Sequence, residues 1–176
     1  MTDPLEGLEA SLSYKRFRVE VGKAELPGRR PRVILRVVIP NTVAVLPVLG
    51  GTQVVLLRQY RPAIGQWIIE APAGTLEEGE TPEEAAIREL REETGLRPGR
   101  LEKVGEAYLT PGYSTEYMHF YIVWDPLEGE PSPEEGEVIE AMKLDVGEAL
   151  AMAERGEIRD AKTLLLLAKL REKLGL

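Results

Sequence analysis

The chain has no cysteine and a single histidine. The first absence removes disulfides, thiolate metal ligands and a cysteine nucleophile, and it suits a reducing, cytoplasmic setting. The second leaves nothing from which a zinc site or a Ser-His pair could be assembled. His119, inside "EYMHFYIV", is expected to be structural. Positive charge is also scarce: 22 Lys and Arg stand against 30 Asp and Glu, a formal net charge of −8. A nucleic-acid coat needs the opposite balance, so no nucleic-acid partner is expected, although local arginines or a bound cation could still receive a small anion. No apolar run approaches the ~20 residues of a membrane span. The opening "MTDPLEGLEA" has neither a basic nor an apolar signal-peptide region, and no membrane partner is expected.

What is present is globular in kind: 176 residues, 43% hydrophobic and 30% charged, enough to bury roughly 70% of the unfolded surface in one domain with or without a small appendage. The first half reads as β. "YKRFRVEVGKA" and "PRVILRVVI" flank a turn-like "LPGRRP"; "TVAVLPVL" and "QVVLLRQY" flank Gly50-Gly51, a hairpin signal; "QWIIEAPAG" is a further strand ending at Pro72. "LEKVGEAYL" and "EYMHFYIVW" are strands joined by "TPGYST", and "VIEAMKL" follows a Pro- and Glu-rich loop. Helices are expected near Val146 to Arg155 and from Ala161 to Leu174, the latter with Asp160 or Thr163 as capping candidates. The mixed order predicts α+β or layered α/β/α architecture. A boundary near Pro40-Asn41 leaves a small N-terminal antiparallel β appendage, residues 1–40, outside a main domain of 41–176.

The helix after Thr81 is the best punctuated. Thr81 fits the N-cap, Pro82 the first helical position and Glu84 the capping box, while Gly95 fits the position just past the end. Ala86, Ile87 and Leu90 form its apolar stripe. Glu89, Glu92 and Glu93 fall within one ~100° arc beside that stripe, about 5–6 Å apart at Cβ. Like charges so placed cost a few tenths of a kcal/mol each. A hard divalent cation would turn that cost into affinity, and Mg²⁺ suits one or two carboxylates plus water and phosphate oxygens. The competing reading is a solvated face with Arg88 and Arg91 as counter-ions.

The surroundings favour the first reading. Gly74, Glu80, Arg88-Glu89-Leu90, Glu92-Glu93 and Gly95-Leu96 resemble the Nudix box, G-x5-E-x7-R-E-U-x-E-E-x-G-U with U a bulky aliphatic, at every defined position. The resemblance implies the Nudix fold, a mixed sheet sandwiched between helices. It also implies metal ligation by Glu89, Glu92, Glu93 and the Ala73 carbonyl, with Gly74, Glu80, Arg88 and Gly95 as the structural frame of the box. Gly74 is expected to permit a bend that brings backbone oxygen to the ion. Mg²⁺, with Mn²⁺ as a substitute, is implied, in two or more ions. Water would then attack one phosphorus of a bridged diphosphate, with a carboxylate as base.

From about Thr42 to Ala168 the chain resembles the ADP-ribose pyrophosphatase branch of that family, with Pro111 at that branch's marker position. The resemblance implies Arg61 at phosphate, Glu70 near metal or substrate, Arg58 as a second anion contact, and Gly112 and Glu116 of "TPGYSTE" at the terminal ribose. "PEEGEVIEAM" resembles the loop that carries a catalytic glutamate; Glu137 is preferred to Glu135, with Glu92 also in the catalytic set. The branch implies a homodimer exchanging N-terminal β domains, with Phe17 and Tyr14 as the candidates for the adenine-stacking residue. The implied reaction is Mg²⁺-dependent cleavage of ADP-ribose to AMP and ribose 5-phosphate. GDP-mannose, another nucleoside-diphosphate sugar or FAD are alternative substrates. A nucleotide-sugar sensor that binds without cleaving is the reading from a different class.

Overall fold

The computed structural model describes residues 5–129 and 138–176. Glu135 and Glu137 therefore lie outside the described residues. Ten strands and three helices are described: β1 (Leu5–Tyr14), β2 (Phe17–Ala24), β3 (Arg32–Val38), β4 (Thr42–Leu49), β5 (Gln53–Arg61), β6 (Gln66–Glu70), β7 (Ala73–Thr75), α1 (Pro82–Thr94), β8 (Arg100–Tyr108), β9 (Tyr117–Trp124), β10 (Ile139–Asp145), α2 (Val146–Glu154) and α3 (Ala161–Leu174). They divide into two compact units. One takes the chain up to Asn41 together with Ala107–Met118; the other takes Thr42–Glu106 and His119–Leu176.

The first unit holds a three-stranded antiparallel sheet in the order β1-β2-β3. β1 is absent from the strands expected of the sequence. Gly7 has a positive φ, and the register slips between Glu6 and Leu8 and again between Leu8 and Ala10, so no clean alternation survives to be read. Cross-strand register aligns Ala10, Val21 and Leu35 in one row and Leu12, Val19 and Val37 in the next. That places an apolar row on one face, on which Leu12 and Leu35 are exposed. The segment 107–118 joins this unit through a parallel bridge between Val37 and Ser114, and Thr115 Oγ1 accepts a hydrogen bond from the Ile39 amide at 3.0 Å.

The second unit is built on a sheet ordered β10-β5-β4-β9-β8, with β6 added to β5 and β7 to β4. β4 and β5 pair only at Val48–Val54 and Leu49–Gln53, next to the Gly50-Gly51 turn, and then diverge. The wedge between them is filled by β6, paired from Leu57 to Arg61 of β5, and β7, paired from Thr42 to Ala44 of β4. The single strand expected over "QWIIEAPAG" is thus two, broken at Ala71-Pro72. A proline has no N–H to give a ladder, but the Pro72 carbonyl still accepts from the Val45 amide at 2.9 Å.

β4 is buried along Thr42 to Val48, so both of its faces are covered. α1 covers one, with Ala85, Ala86 and Leu90 packed among Val43, Val45, Val55, Tyr121 and Val123. α3 packs on β4 through the apolar stripe that buries Leu166, Leu167 and Leu170. α1 opens with a reciprocal capping box between Thr81 and Glu84 and ends at Gly95 with φ 74°. Tyr121, buried on β9, donates its hydroxyl to Glu83 at 2.9 Å and so ties the start of α1 to the sheet. Burial, then the Glu83 carboxylate, pushes the Tyr121 pKa upward.

Glu102 accepts from Lys173 Nζ at 2.5 Å, Trp124 Nε1 at 2.7 Å and Arg100 at 3.1 Å. The Lys173 and Trp124 hydrogen bonds, against some burial, lower its pKa from 4.5 to about 2. A carboxylate with a depressed folded pKa contributes stability that is complete above its unfolded pKa and lost as pH falls through the folded one. Glu102→Gln is therefore expected to flatten the acid limb of stability between pH 4.5 and about 2. Urea midpoints measured across that window check it; an unchanged slope would rule out this role for Glu102.

Candidate active site

Arg88 is the centre of the acidic helix. Its Nε donates to Glu80 Oε1 at 2.9 Å. One terminal nitrogen reaches Glu80 Oε2 and the Thr75 carbonyl, both at 3.0 Å, and the other reaches Glu89 Oε1 at 2.7 Å and Glu92 Oε2 at 3.0 Å. The Glu80 hydrogen bond, offset by burial and reinforced by Glu89 and Glu92, drives the Arg88 pKa further above its ordinary value. Glu80 also accepts from the Glu77 amide at 2.9 Å. The loop 76–80 is thus fastened to α1 by one guanidinium, with the planar fork geometry that arginine gives a carboxylate.

Glu89 and Glu93 are one turn apart on the side of α1 that packs inward. They are 9% and 6% exposed, while Ile87, expected in the apolar stripe, is only half-buried. The Ala73 amide donates to Glu93 Oε2 at 2.9 Å. Gly74 lies so close to Glu89 that an added Cβ would stand 1.9 Å from Oε1 and 2.2 Å from Cδ. Its φ is not in the left-handed region. What the structure requires of Gly74 is space beside Glu89, not a left-handed backbone. Three carboxylates and the backbone around Ala73 offer oxygen alone, the donor set of a hard divalent ion. Among the described residues, no group of three or more His, Asp or Glu side chains converges on its own to hold a metal. Glu89 and Glu92 bond to Arg88, and Glu93 to the Ala73 amide.

Glu70 closes β6 in the interior, 1% exposed. Arg61 grips it in a bidentate pair at 2.7 and 2.9 Å, and Lys162 of α3 donates to it as well. Burial raises the Glu70 pKa, but the Arg61 hydrogen bond and the Lys162 charge outweigh it and hold the carboxyl below its ordinary range. Next to it, the Ala71 amide donates to Thr163 Oγ1 at 2.7 Å, and that hydroxyl donates to Asp160 Oδ2 at 2.5 Å. Asp160 is the N-cap of α3 and accepts from the Thr163 amide at 3.0 Å. The start of α3 therefore fixes the two residues that precede Pro72 and Ala73. From the sequence Asp160 and Thr163 are expected only as capping residues, and Lys162 carries no local signal of this role. These contacts join residues 92 apart, which no local pattern reveals. Thr163→Val is expected to leave the buried Ala71 amide unsatisfied, at roughly 1–3 kcal/mol, with Thr163→Ser close to wild type. Urea unfolding of both variants checks this.

Arg58 and Arg61 are not brought together. Three residues apart on β5, they point to opposite faces. Arg61 turns to Glu70. Arg58 lies over the Trp67 ring at 4.2 Å and pairs with Glu140 of β10 at 3.0 Å. Gly112 sits in the turn 111–113, and the Glu116 amide donates to Ser114 Oγ at 3.1 Å, both within the first unit. Tyr14 and Phe17 face each other across the β1–β2 turn and are both exposed.

A capping-boxed helix with an inward carboxylate pair, clamped through one arginine to the loop ahead of it, defines a class that comparison with known proteins names. The NUDIX domain family model matches residues 38–167. The chain is 36% identical over 157 residues to ADP-ribose pyrophosphatase of Bacillus subtilis, covering 88% of this chain and 85% of that protein. It is 40% identical over 125 residues to GDP-mannose pyrophosphatase of Citrobacter koseri, covering 65% of this chain and 64% of that one. A solved structure described as an ADP compounds hydrolase superposes with a TM-score of 0.81 over 99% of this chain and 97% of that chain, at 22% identity, and so speaks for the fold. The chain belongs to the Nudix family of hydrolases. Members of this family generally need a divalent metal.

Proposed function

We propose that this chain hydrolyses the diphosphate of ADP-ribose to AMP and ribose 5-phosphate. The observation that carries the proposal is the inward pair Glu89 and Glu93, packed against Gly74 and the Ala73 amide with no room for a side chain between. Mg²⁺, or Mn²⁺ in its place, would be held as two or more ions by Glu89, Glu92, Glu93 and the Ala73 carbonyl; bound there it neutralises the diphosphate and lowers the pKa of a water. The chain's own part is positional. Arg88 holds Glu89 and Glu92 at the edge of the loop and is the group a cation competes with for them. Arg61 offers positive charge to phosphate, and its bidentate bond to Glu70 fixes the plane of the fork. Glu137, or in its place Glu135, would take the proton of the attacking water, with Glu92 assisting. Gly112 and Glu116 take the terminal ribose.

A second reading, hydrolysis of GDP-mannose or another nucleoside-diphosphate sugar, is supported by the 40% identity over 125 residues to the Citrobacter koseri protein. Purified protein given Mg²⁺ and equal concentrations of ADP-ribose, GDP-mannose and FAD separates the readings by product. Fastest release of AMP from ADP-ribose is expected. Preference for GDP-mannose would overturn the first reading, and binding of ADP-ribose without any AMP would make the chain a sensor.

We further infer a cytoplasmic homodimer that exchanges residues 1–40. The exposed apolar row through Leu12 and Leu35 supports it, since a large exposed apolar patch marks an interaction surface. No described helix is long and apolar enough to cross a membrane. Light scattering of the full chain, with Leu12→Glu/Leu35→Glu as the comparison, tests the dimer; a monomeric wild type would refute it.

A further inference from the structure

Arg58, set apart from Arg61 by the parity of β5, lines a recess of about 410 Å³. Gln66, Trp67, Ile69, Glu157 and Arg159 line it with Arg58. The volume lies within the range of small-molecule sites, about 300–1,000 Å³. Its walls combine a π surface and cations. Trp67, near the start of β6 and paired with Tyr60 of β5, is 39% exposed. The Arg58 guanidinium lies over its ring, and Tyr60 meets it edge-on at 5.8 Å.

The charges inside are not balanced internally. Glu157 is engaged by Arg155 Nε at 2.6 Å, and that hydrogen bond keeps its carboxyl pKa low. Arg159 uses Nε to bond the Gly156 carbonyl at 3.0 Å, and among the described residues no carboxylate pairs with it. The Arg58–Glu140 pair is exposed on both sides, 43% and 60%. Such a pair is worth about 0–1 kcal/mol and yields readily to a better anion. On a chain of net charge −8, a recess lined by two guanidiniums, an amide, an indole and one carboxylate that Arg155 already holds suits a small anion that carries an aromatic ring.

We propose that this recess is a second ligand site, distinct from the acidic face of α1, that binds a nucleoside monophosphate. The phosphate lies on the Arg159 fork, with Arg58 contributing, and the base lies against the Trp67 indole. Base–aromatic contact is worth about 1–3 kcal/mol, and an arginine fork suits phosphate geometry. The site does not depend on the catalytic proposal.

The chain contains two tryptophans, Trp67 and Trp124. In a Trp124→Phe background the fluorescence belongs to Trp67. With EDTA present, AMP is expected to quench that emission saturably. Adenosine alone and inorganic phosphate alone are each expected to bind at least tenfold more weakly. Arg159→Ala, checked for fold by circular dichroism, should weaken AMP at least tenfold, whereas Glu93→Gln should leave it unchanged. No saturable change up to about 10 mM AMP, an affinity indifferent to Arg159→Ala, or phosphate binding as well as AMP would each overturn the proposal.

Discussion

Replacement of Glu93 by Gln is expected to lower kcat by about a thousandfold with the melting temperature within a few degrees of wild type. Each tenfold of rate corresponds to about 1.4 kcal/mol, and a bound cation supplies several kcal/mol of charge stabilisation. The fold should survive for two reasons. The carboxamide oxygen can still accept the Ala73 amide now bonded at 2.9 Å. The change also removes a negative charge from a 6% exposed side chain that shares the helix with Glu89 and Glu92. Steady-state kinetics at saturating Mg²⁺, with thermal unfolding of the same preparation, gives both quantities. Normal turnover would remove Glu93 from the ligand set. A collapse of stability would make it a structural residue.

Gly74→Ala should separate activity from stability in a different way. The new Cβ would collide with Glu89 Oε1, Cδ and Oε2, at 1.9, 2.2 and 2.7 Å. These atoms are the far end of a flexible side chain held by Arg88, so the protein can relieve the collision by turning the carboxylate away rather than by moving backbone. The loss then falls on the group whose position matters for cation binding. About a hundredfold or greater loss of kcat/KM is expected, with Mn²⁺ affinity measured by calorimetry weakened in parallel. The unfolding free energy should change by about 1 kcal/mol, the ordinary size for a substitution that a side chain can absorb. A Gly74→Ala variant that stays active and binds metal fully would mean that Glu89 does not act from beside this glycine.

α1 was legible in the sequence because its signals are local. Thr81, Pro82, Glu84 and Gly95 each answer to backbone groups within four residues. The long strands were legible for the same reason, since β-branched runs need no partner to be recognised. β1 was not, because glycine and two register slips remove its periodicity. The break between β6 and β7 was half-visible in Pro72, but the wedge that those strands fill is a property of how β4 and β5 diverge. In the site, the box residues could be found by spacing. The parity that sends Arg58 and Arg61 to opposite faces was also present in the spacing and was outweighed by their likeness as cations. The reach of Lys162 to Glu70 and of Thr163 to Ala71 was hidden, because it depends on where a helix 92 residues downstream comes to rest.

That last dependence bears on synthesis. Ala71 owes its amide partner to a hydroxyl encoded 92 positions later, so the ribosome delivers the acidic helix long before it delivers the anchor for the strand break ahead of it. A nascent chain stalled before Asp160 emerges should already contain every candidate ligand on α1 and still turn over no substrate. Activity should appear only when the final helix leaves the exit tunnel.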